Sequence, residues 1–182
     1  MPDTAQAWTF LERSDLVVGA EEIQAAIRRV AVEIQAALAH EYPLALVVMG
    51  GAVVFAGQLL PMLRFPLDVD YVHASRYGAQ TQGADVGWRV EPPAEVRERT
   101  VLVVDDILDA GTTLKAICDR LREQGAKRVL SAVLVDKMLG HAKPIAADFV
   151  GVQIPDRFVF GCGMDAKGYW RNLPEIRAMR ED

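Results

Sequence analysis

The stretch VLVVDDILDAGTTL, residues 101–114, decides how this chain folds. An unbroken apolar run, Val101 to Val104, is followed at once by Asp105 and Asp106, then by Asp109, then by the small-residue turn Ala110, Gly111, Thr112 and Thr113. Beyond the turn, Leu114, Ile117, Cys118 and Leu121 recur at helical spacing over 112–123, and Gly125 stands where a helix C-cap belongs. The segment therefore reads as strand, turn, helix. A strand with no polar face must be covered on both sides, which is the situation of a parallel sheet between helices.

Working outward, four more runs have the same character: LALVVM at 44–49, LDVDYVHAS at 67–75, RVLSAVLVD at 128–136 and DFVGVQI at 148–154. Residues 21–40 place Ile23, Ile27, Val30, Ile34 and Leu38 on one helical stripe, and VVFAGQLLPML at 53–63 reads as a second helix. The pattern predicts an α/β fold, a mainly parallel twisted sheet flanked by helices. With 182 residues and 51% hydrophobic content, residues 1–182 suffice for a single domain. The uncharged stretch 43–63 raises the question of a membrane span, but Gly50, Gly51, Gly57, Gln58 and Pro61 break it into strand, turn and helix. The polar connection RYGAQTQGADVGWRVEPPAEVRER, residues 76–99, reads as a lid loop and as a hairpin using DVGWRV as a strand, two readings that are compatible.

A net charge of −5 removes the basic face that general nucleic-acid binding needs, so no nucleic acid partner is expected. Cys118 and Cys162 form no CxxC pair, which argues against a zinc site or disulfide scaffold and for a reducing compartment. The opening MPDTAQAWTF lacks a basic n-region and an apolar h-region, so the expected location is cytoplasmic, with no membrane partner.

At the carboxyl end of a parallel strand, side chains reach the crevice where open α/β sheets bind ligands. Carboxylates there accept from hydroxyls or sit beside a hard cation such as Mg²⁺. The DAGTT turn opening a helix offers backbone N–H groups and the positive end of the helix dipole, which suits a phosphate. A phosphorylated ribose accompanied by a metal satisfies both halves. The turn is neither GxGxxG nor GxxxxGK[ST], so dinucleotide and P-loop readings lack their residues. Helix capping alone would account for Asp109 but not for Asp105 and Asp106. Lys137 after a strand reads alone as a solvated end, and Phe158 and Phe160 alternate so that one is core and the other free. His40, His73 and His141 have no ligand spacing.

The motif VVDDILDAGTT resembles the signature of the type I phosphoribosyltransferases, and SRYG, LVDK and IPDRFVFGCGMDAKGYWRN resemble their hypoxanthine-guanine branch, over about 21–171. The resemblance implies transfer of 5-phosphoribosyl from 5-phosphoribosyl 1-diphosphate to a 6-oxopurine, hypoxanthine or guanine, with Mg²⁺. It implies a small hood from about 1–20 and 152–182 and a lid at about 76–98. By matching position, Asp105 and Asp106 would hold the ribose hydroxyls or metal, and Ala110, Gly111, Thr112 and Thr113 the 5′-phosphate. Asp109 would be the general base; Lys137, Phe158 and Val159 would hold the purine; Asp165 would hold Mg²⁺. Gly50, Gly51 and Arg171 would meet pyrophosphate, and Arg76 and Tyr77 would belong to the lid. A homodimer or homotetramer is implied as well.

The chain departs from the family at Gly50, where a polar residue is common, at Arg76 beside Tyr77, and at Cys162 and Ala166, where aromatics are frequent. The last two put the shape of the purine pocket at issue. The alternative within this fold is a regulator that senses the activated sugar and binds RNA. A receiver-type signalling domain also pairs acids with a later lysine, but its acids close the first strand, whereas these lie mid-chain.

Overall fold

A computed structural model describes residues 3–76 and 86–180. Its centre is a six-stranded sheet. The parallel strands are β2 (Leu44–Val48), β3 (Asp68–Arg76), β5 (Thr100–Leu108), β6 (Arg128–Met138) and β7 (Phe149–Pro155), and β4 (Val86–Val90) pairs antiparallel with β3. The order across the sheet is β4-β3-β2-β5-β6-β7, which sets β5 near the middle. Every residue of β2 is buried, as are residues 100–105 of β5, so both faces are covered as the apolar runs require.

Three helices serve this sheet. Helix α2 (Ala20–Leu38) buries Ile23, Ala26, Ile27, Val30, Ala31, Ile34 and Leu38, one stripe at i, i+3, i+4, and carries Glu21 and Glu22 at its positive end. Truncating Ile27 or Ile34, both fully buried, would remove contacts worth about 2–5 kcal/mol. Helix α3 (Val53–Leu59) runs into a short 3-10 turn, Leu60–Met62, where Pro61 is accommodated. The uncharged stretch 43–63 is thus strand, turn and helix, and no helix among the described residues is long and apolar enough to cross a membrane.

Helix α4 (Thr112–Glu123) has the predicted bounds and buries Leu114, Ile117, Cys118 and Leu121. It ends as expected at Gly125, φ +88, whose N–H reaches the Arg122 carbonyl while Ala126 N–H reaches that of Leu121. These two hydrogen bonds satisfy two end carbonyls through a left-handed conformation that glycine adopts without strain.

The hairpin reading is present in the structure, and the lid reading falls largely on residues outside those described. In the hairpin His73 faces Val90 and Ala74 faces Trp88, and a 3-10 turn at Ala94–Val96 follows, anchored by buried Val96. Tyr77 and residues 78–85 lie outside the described residues, as does the side chain of Arg76. The terminal segments build a second sheet, β1 (Ser14–Val18), β9 (Ile176–Met179) and β8 (Val159–Phe160), all antiparallel, and helix α1 (Thr4–Glu12) precedes it.

Candidate active site

Strand β5 continues past the two acids to Leu108 and only then turns. Asp105 is 8% exposed, and its Oδ1 accepts from the Asp106 N–H at 2.9 Å. Burial pushes the Asp105 carboxyl well above the usual range, helped by the neighbouring Asp106 charge. Burial also raises Asp106, against the lowering effects of its bond with Asp105 and of the Arg171 charge. A buried acid beside a partly buried one favours a ligand that brings hydroxyl donors or a cation.

The Asp109–Gly111 turn follows. Gly111 has φ +81, a conformation that favours glycine, and a Cβ there would sit tightly, 3.3 Å from Pro144 Cδ. No side chain caps α4, which leaves its first-turn N–H groups directed at the crevice. Asp109 is therefore not a helix cap, contrary to the simplest reading of its position. Its Oδ1 lies 3.1 Å from Lys137 Nζ.

A cavity of about 420 Å³ opens over these elements, lined by Asp105, Asp106, Asp109, Ala110, Gly111 and Thr113 from the motif. Gly50, Gly51 and Arg171 close its other side. Thr112 is exposed and is not part of the wall. The Met49–Gly50 peptide is cis. At Gly51 a Cβ would fall 1.8 Å from Asp106 Oδ2, and at Gly163, φ +105, it would fall 1.9 Å from the Gly51 carbonyl. Side chains at either glycine would displace an acid or separate two loops.

A second cavity of about 210 Å³ adjoins the first and shares Asp106, Ile107, Asp109 and Arg171 with it. Lys137, Phe158, Val159, Met164 and Asp165 complete it. Lys137 is not a solvated strand end. It is 9% exposed within β6, between Asp109 and Asp156, the latter at 3.6 Å. Phe160 is fully buried while Phe158 is 55% exposed, which resolves their alternation in favour of Phe158 as the free ring. Asp165 accepts from Gly168 N–H and pairs with Arg171, both at 2.6 Å, and Arg171 also donates to the Gly163 carbonyl at 2.6 Å.

Cys162 and Ala166 are fully buried and line neither cavity, so these two departures act behind the loop rather than on its ligand face. Burial pushes the Cys162 thiol up to about 11, which leaves it protonated and unreactive near neutral pH. For a metal, the available donors are the carboxylate oxygens of Asp105, Asp106 and Asp165. No group of three or more acidic, His or Cys side chains among the described residues is close enough to form a complete cage. Mg²⁺ characteristically takes one or two protein carboxylates and fills its shell with water and phosphate, so this partial donor set fits it.

Sequence reasoning missed His73, Ala74, Ile107 and Met164 as wall residues. His73 and Ala74 arrive because β3 lies beside β2, with Met49 N–H bonded to the Val72 carbonyl, and no local signal encodes that adjacency.

Residues 19–167 match the phosphoribosyl transferase domain family. The chain is 32% identical over 166 residues to the hypoxanthine-guanine phosphoribosyltransferase of Bacillus subtilis, covering 91% of this chain and 92% of that one. It is 32% identical to the enzyme of the same name from Aquifex aeolicus, over 88% and 92% of the two chains. Among solved structures, a hypoxanthine-guanine phosphoribosyltransferase from Bacillus anthracis superposes with a TM-score of 0.85 at 30% identity, covering 91% of this chain and 98% of that one. A hypoxanthine phosphoribosyltransferase from Staphylococcus aureus gives 0.87 at 25% identity, over 94% and 95%.

Proposed function

The chain belongs to the phosphoribosyltransferase family, and within it to the hypoxanthine-guanine phosphoribosyltransferases of purine salvage; from that membership we propose how its two joined cavities divide the reaction. The observation that carries the proposal is their common wall. Asp106, Asp109 and Arg171 face both spaces, so a sugar in the larger cavity and a flat base in the smaller one would meet at those residues.

In this reading 5-phosphoribosyl 1-diphosphate lays its 5′-phosphate on Ala110, Gly111 and Thr113, at the head of α4. Asp105 and Asp106 accept from the ribose hydroxyls. Gly50 and Gly51 offer backbone N–H groups to pyrophosphate, since Gly50 has no polar side chain to give, and Arg171 adds its charge. The 6-oxopurine stacks on exposed Phe158, runs along Val159, and draws Lys137 Nζ to its O6, away from Asp109. Asp109 then accepts the proton from purine N7.

As the purine nitrogen forms its bond to C1′, the bond from C1′ to pyrophosphate oxygen breaks and the electron pair leaves with pyrophosphate. The products are IMP from hypoxanthine or GMP from guanine. Positive charge on the ribose at that moment is favoured by the fixed carboxylates of Asp105, Asp106 and Asp109 in a site shielded from water. Mg²⁺, held by Asp165, Asp105 and Asp106 together with substrate oxygens, would supply neutralisation of the pyrophosphate charge. The segment containing Arg76 and Tyr77 is assigned as a lid that keeps water from the activated sugar. Assembly as a homodimer or homotetramer is part of the same reading.

The test is pyrophosphate release from 5-phosphoribosyl 1-diphosphate and Mg²⁺ with hypoxanthine, guanine, xanthine, adenine and uracil offered separately. Release with 6-oxopurines alone is the expected result. Release with adenine or uracil, or with no base, would remove the roles given to Lys137 and Phe158.

A further inference from the structure

We infer that helix α1 positions the pyrophosphate side of the site, acting on Arg171 through Trp170, an inference that rests on the pyrophosphate role proposed above for Arg171. Helix α1 lies ahead of residues 19–167, the part that matches the family, and buries none of its own residues. It is docked instead against the loop that carries Asp165 and Arg171. Trp170 Nε1 donates to the Ala7 carbonyl at 2.6 Å, and the Trp8 ring meets the Trp170 ring edge-on with centroids 5.0 Å apart. The Tyr169 hydroxyl accepts from the Asp3 N–H at 2.9 Å, Phe10 lies against Tyr169, and Lys167 Nζ sits 5.5 Å above the Phe10 ring.

The loop needs such support. Trp170 has φ +66 and Lys167 φ +52, left-handed conformations that a large side chain keeps only where its surroundings hold it. The residue after Trp170 is Arg171. Its carbonyl accepts from Gly163 N–H at 2.8 Å, its Nη1 donates to the Gly163 carbonyl, and its Nη2 pairs with Asp165. Gly163 in turn lies against the Gly51 carbonyl, with no room for a Cβ between them. A continuous set of contacts thus runs from α1 through Trp170 to Arg171, Asp165 and the Gly51 turn, of which Gly51 and Arg171 line the larger cavity and Asp165 the smaller. Arg171 borders the smaller cavity as well, but the purine contacts assigned to Lys137 and Phe158 come from other segments, so a disturbance at Trp8 or Trp170 should fall mainly on the pyrophosphate side.

Trp8→Ala removes the edge-on ring, Trp170→Phe keeps a ring but removes the donor to Ala7, and Trp8→Phe restores a ring. For each protein, KM for 5-phosphoribosyl 1-diphosphate and for hypoxanthine would be measured, with pyrophosphate affinity by titration calorimetry in Mg²⁺ and a thermal melt. Trp8→Ala and Trp170→Phe should weaken pyrophosphate and raise KM for 5-phosphoribosyl 1-diphosphate roughly 3- to 10-fold, as expected for one ring pair or one hydrogen bond. KM for hypoxanthine should stay within about 2-fold, and Trp8→Phe should recover most of the loss. Equal weakening of both substrates, or a lowered melting temperature with pyrophosphate affinity unchanged, would overturn the inference. The titration needs no turnover. If wild type binds pyrophosphate but transfers to no 6-oxopurine, the proposed reaction fails, and the affinities of the variants still decide the role of α1.

Discussion

Asp105 illustrates how a single residue can serve the site at the expense of the fold. Its carboxyl is buried beside that of Asp106, and its one hydrogen bond in the structure is to the Asp106 N–H. A buried acid that must ionise next to another acid is unfavourable for the ligand-free protein and is relieved when sugar hydroxyls or a cation arrive. Asp105→Asn keeps the shape and removes the charge. We expect it to stabilise the ligand-free protein by about 1 kcal/mol or more, a rise of about 2–4 °C in melting temperature for a chain of this size. The same change should lower kcat/KM by about 100-fold, through loss of an acceptor and of charge facing the ribose. A variant that melts lower than wild type would show that the acid pair supports the fold and would defeat the argument. The role of this residue type was legible from the strand-end position of the acids, whereas its burial beside Asp106 was not. Successive residues of a strand point to opposite faces, yet both acids lie in the wall of the same cavity at the end of β5.

Between elements, the phosphate turn depends on a contact that its own sequence does not contain. Lys143 Nζ donates to the Leu108 carbonyl and to Asp136 Oδ1, both at 2.6 Å, and Gln153 Nε2 donates to the other oxygen of Asp136. Pro144 and Ile145 lie directly under Gly111. The segment after β6 therefore fixes the point at which β5 gives way to the turn. Lys143→Met would leave the mostly buried Asp136 without its cation and the Leu108 carbonyl without a donor, at a cost of about 2–3 kcal/mol in urea unfolding. KM for 5-phosphoribosyl 1-diphosphate should rise about 10-fold as the turn loosens, from about 1.4 kcal/mol of lost binding. Adding Asp136→Asn should cost less than the sum of the two single changes, because the orphaned charge is removed. Additive losses would mean that the pair does not act as a unit. Helix α4 and the long strands could be read because each carries a sustained apolar period. Strands β1, β8 and β9 are two to five residues long, too short for a period to emerge, and Lys143 sits in a polar connection with no motif at all.

Across the whole molecule, the site lies where two sheets meet. The six-stranded sheet delivers the acids, the phosphate turn and Lys137, while the segments around the three-stranded sheet deliver Phe158, Val159, Asp165 and Arg171. The larger sheet was readable from composition and spacing. Placement of the second set required the resemblance, since nothing local to Asp165 or Arg171 says that they face Asp106. The small sheet is tied by Asp15 on β1, which takes Arg157, just before β8, at 3.0 Å and Arg180, just after β9, at 2.9 Å. Hydrogen bonding to Arg180 first, and to Arg157 second, holds the Asp15 carboxyl below its ordinary value of 3.8. A carboxyl with a depressed folded pKa contributes stability that is fully present above its unfolded pKa and is lost as pH falls through the folded value. Its contribution is therefore complete at pH 6 and fades below about pH 4. Asp15→Asn should lower the melting temperature at pH 6 by a small amount, given the exposure of the pair, and the gap from wild type should close as pH falls toward 3. Amide exchange of β1 and β9 should quicken in the same order, in the variant at pH 6 and in both proteins in acid. A gap that is constant from pH 6 to pH 3 would mean that Asp15 acts by packing and not by charge.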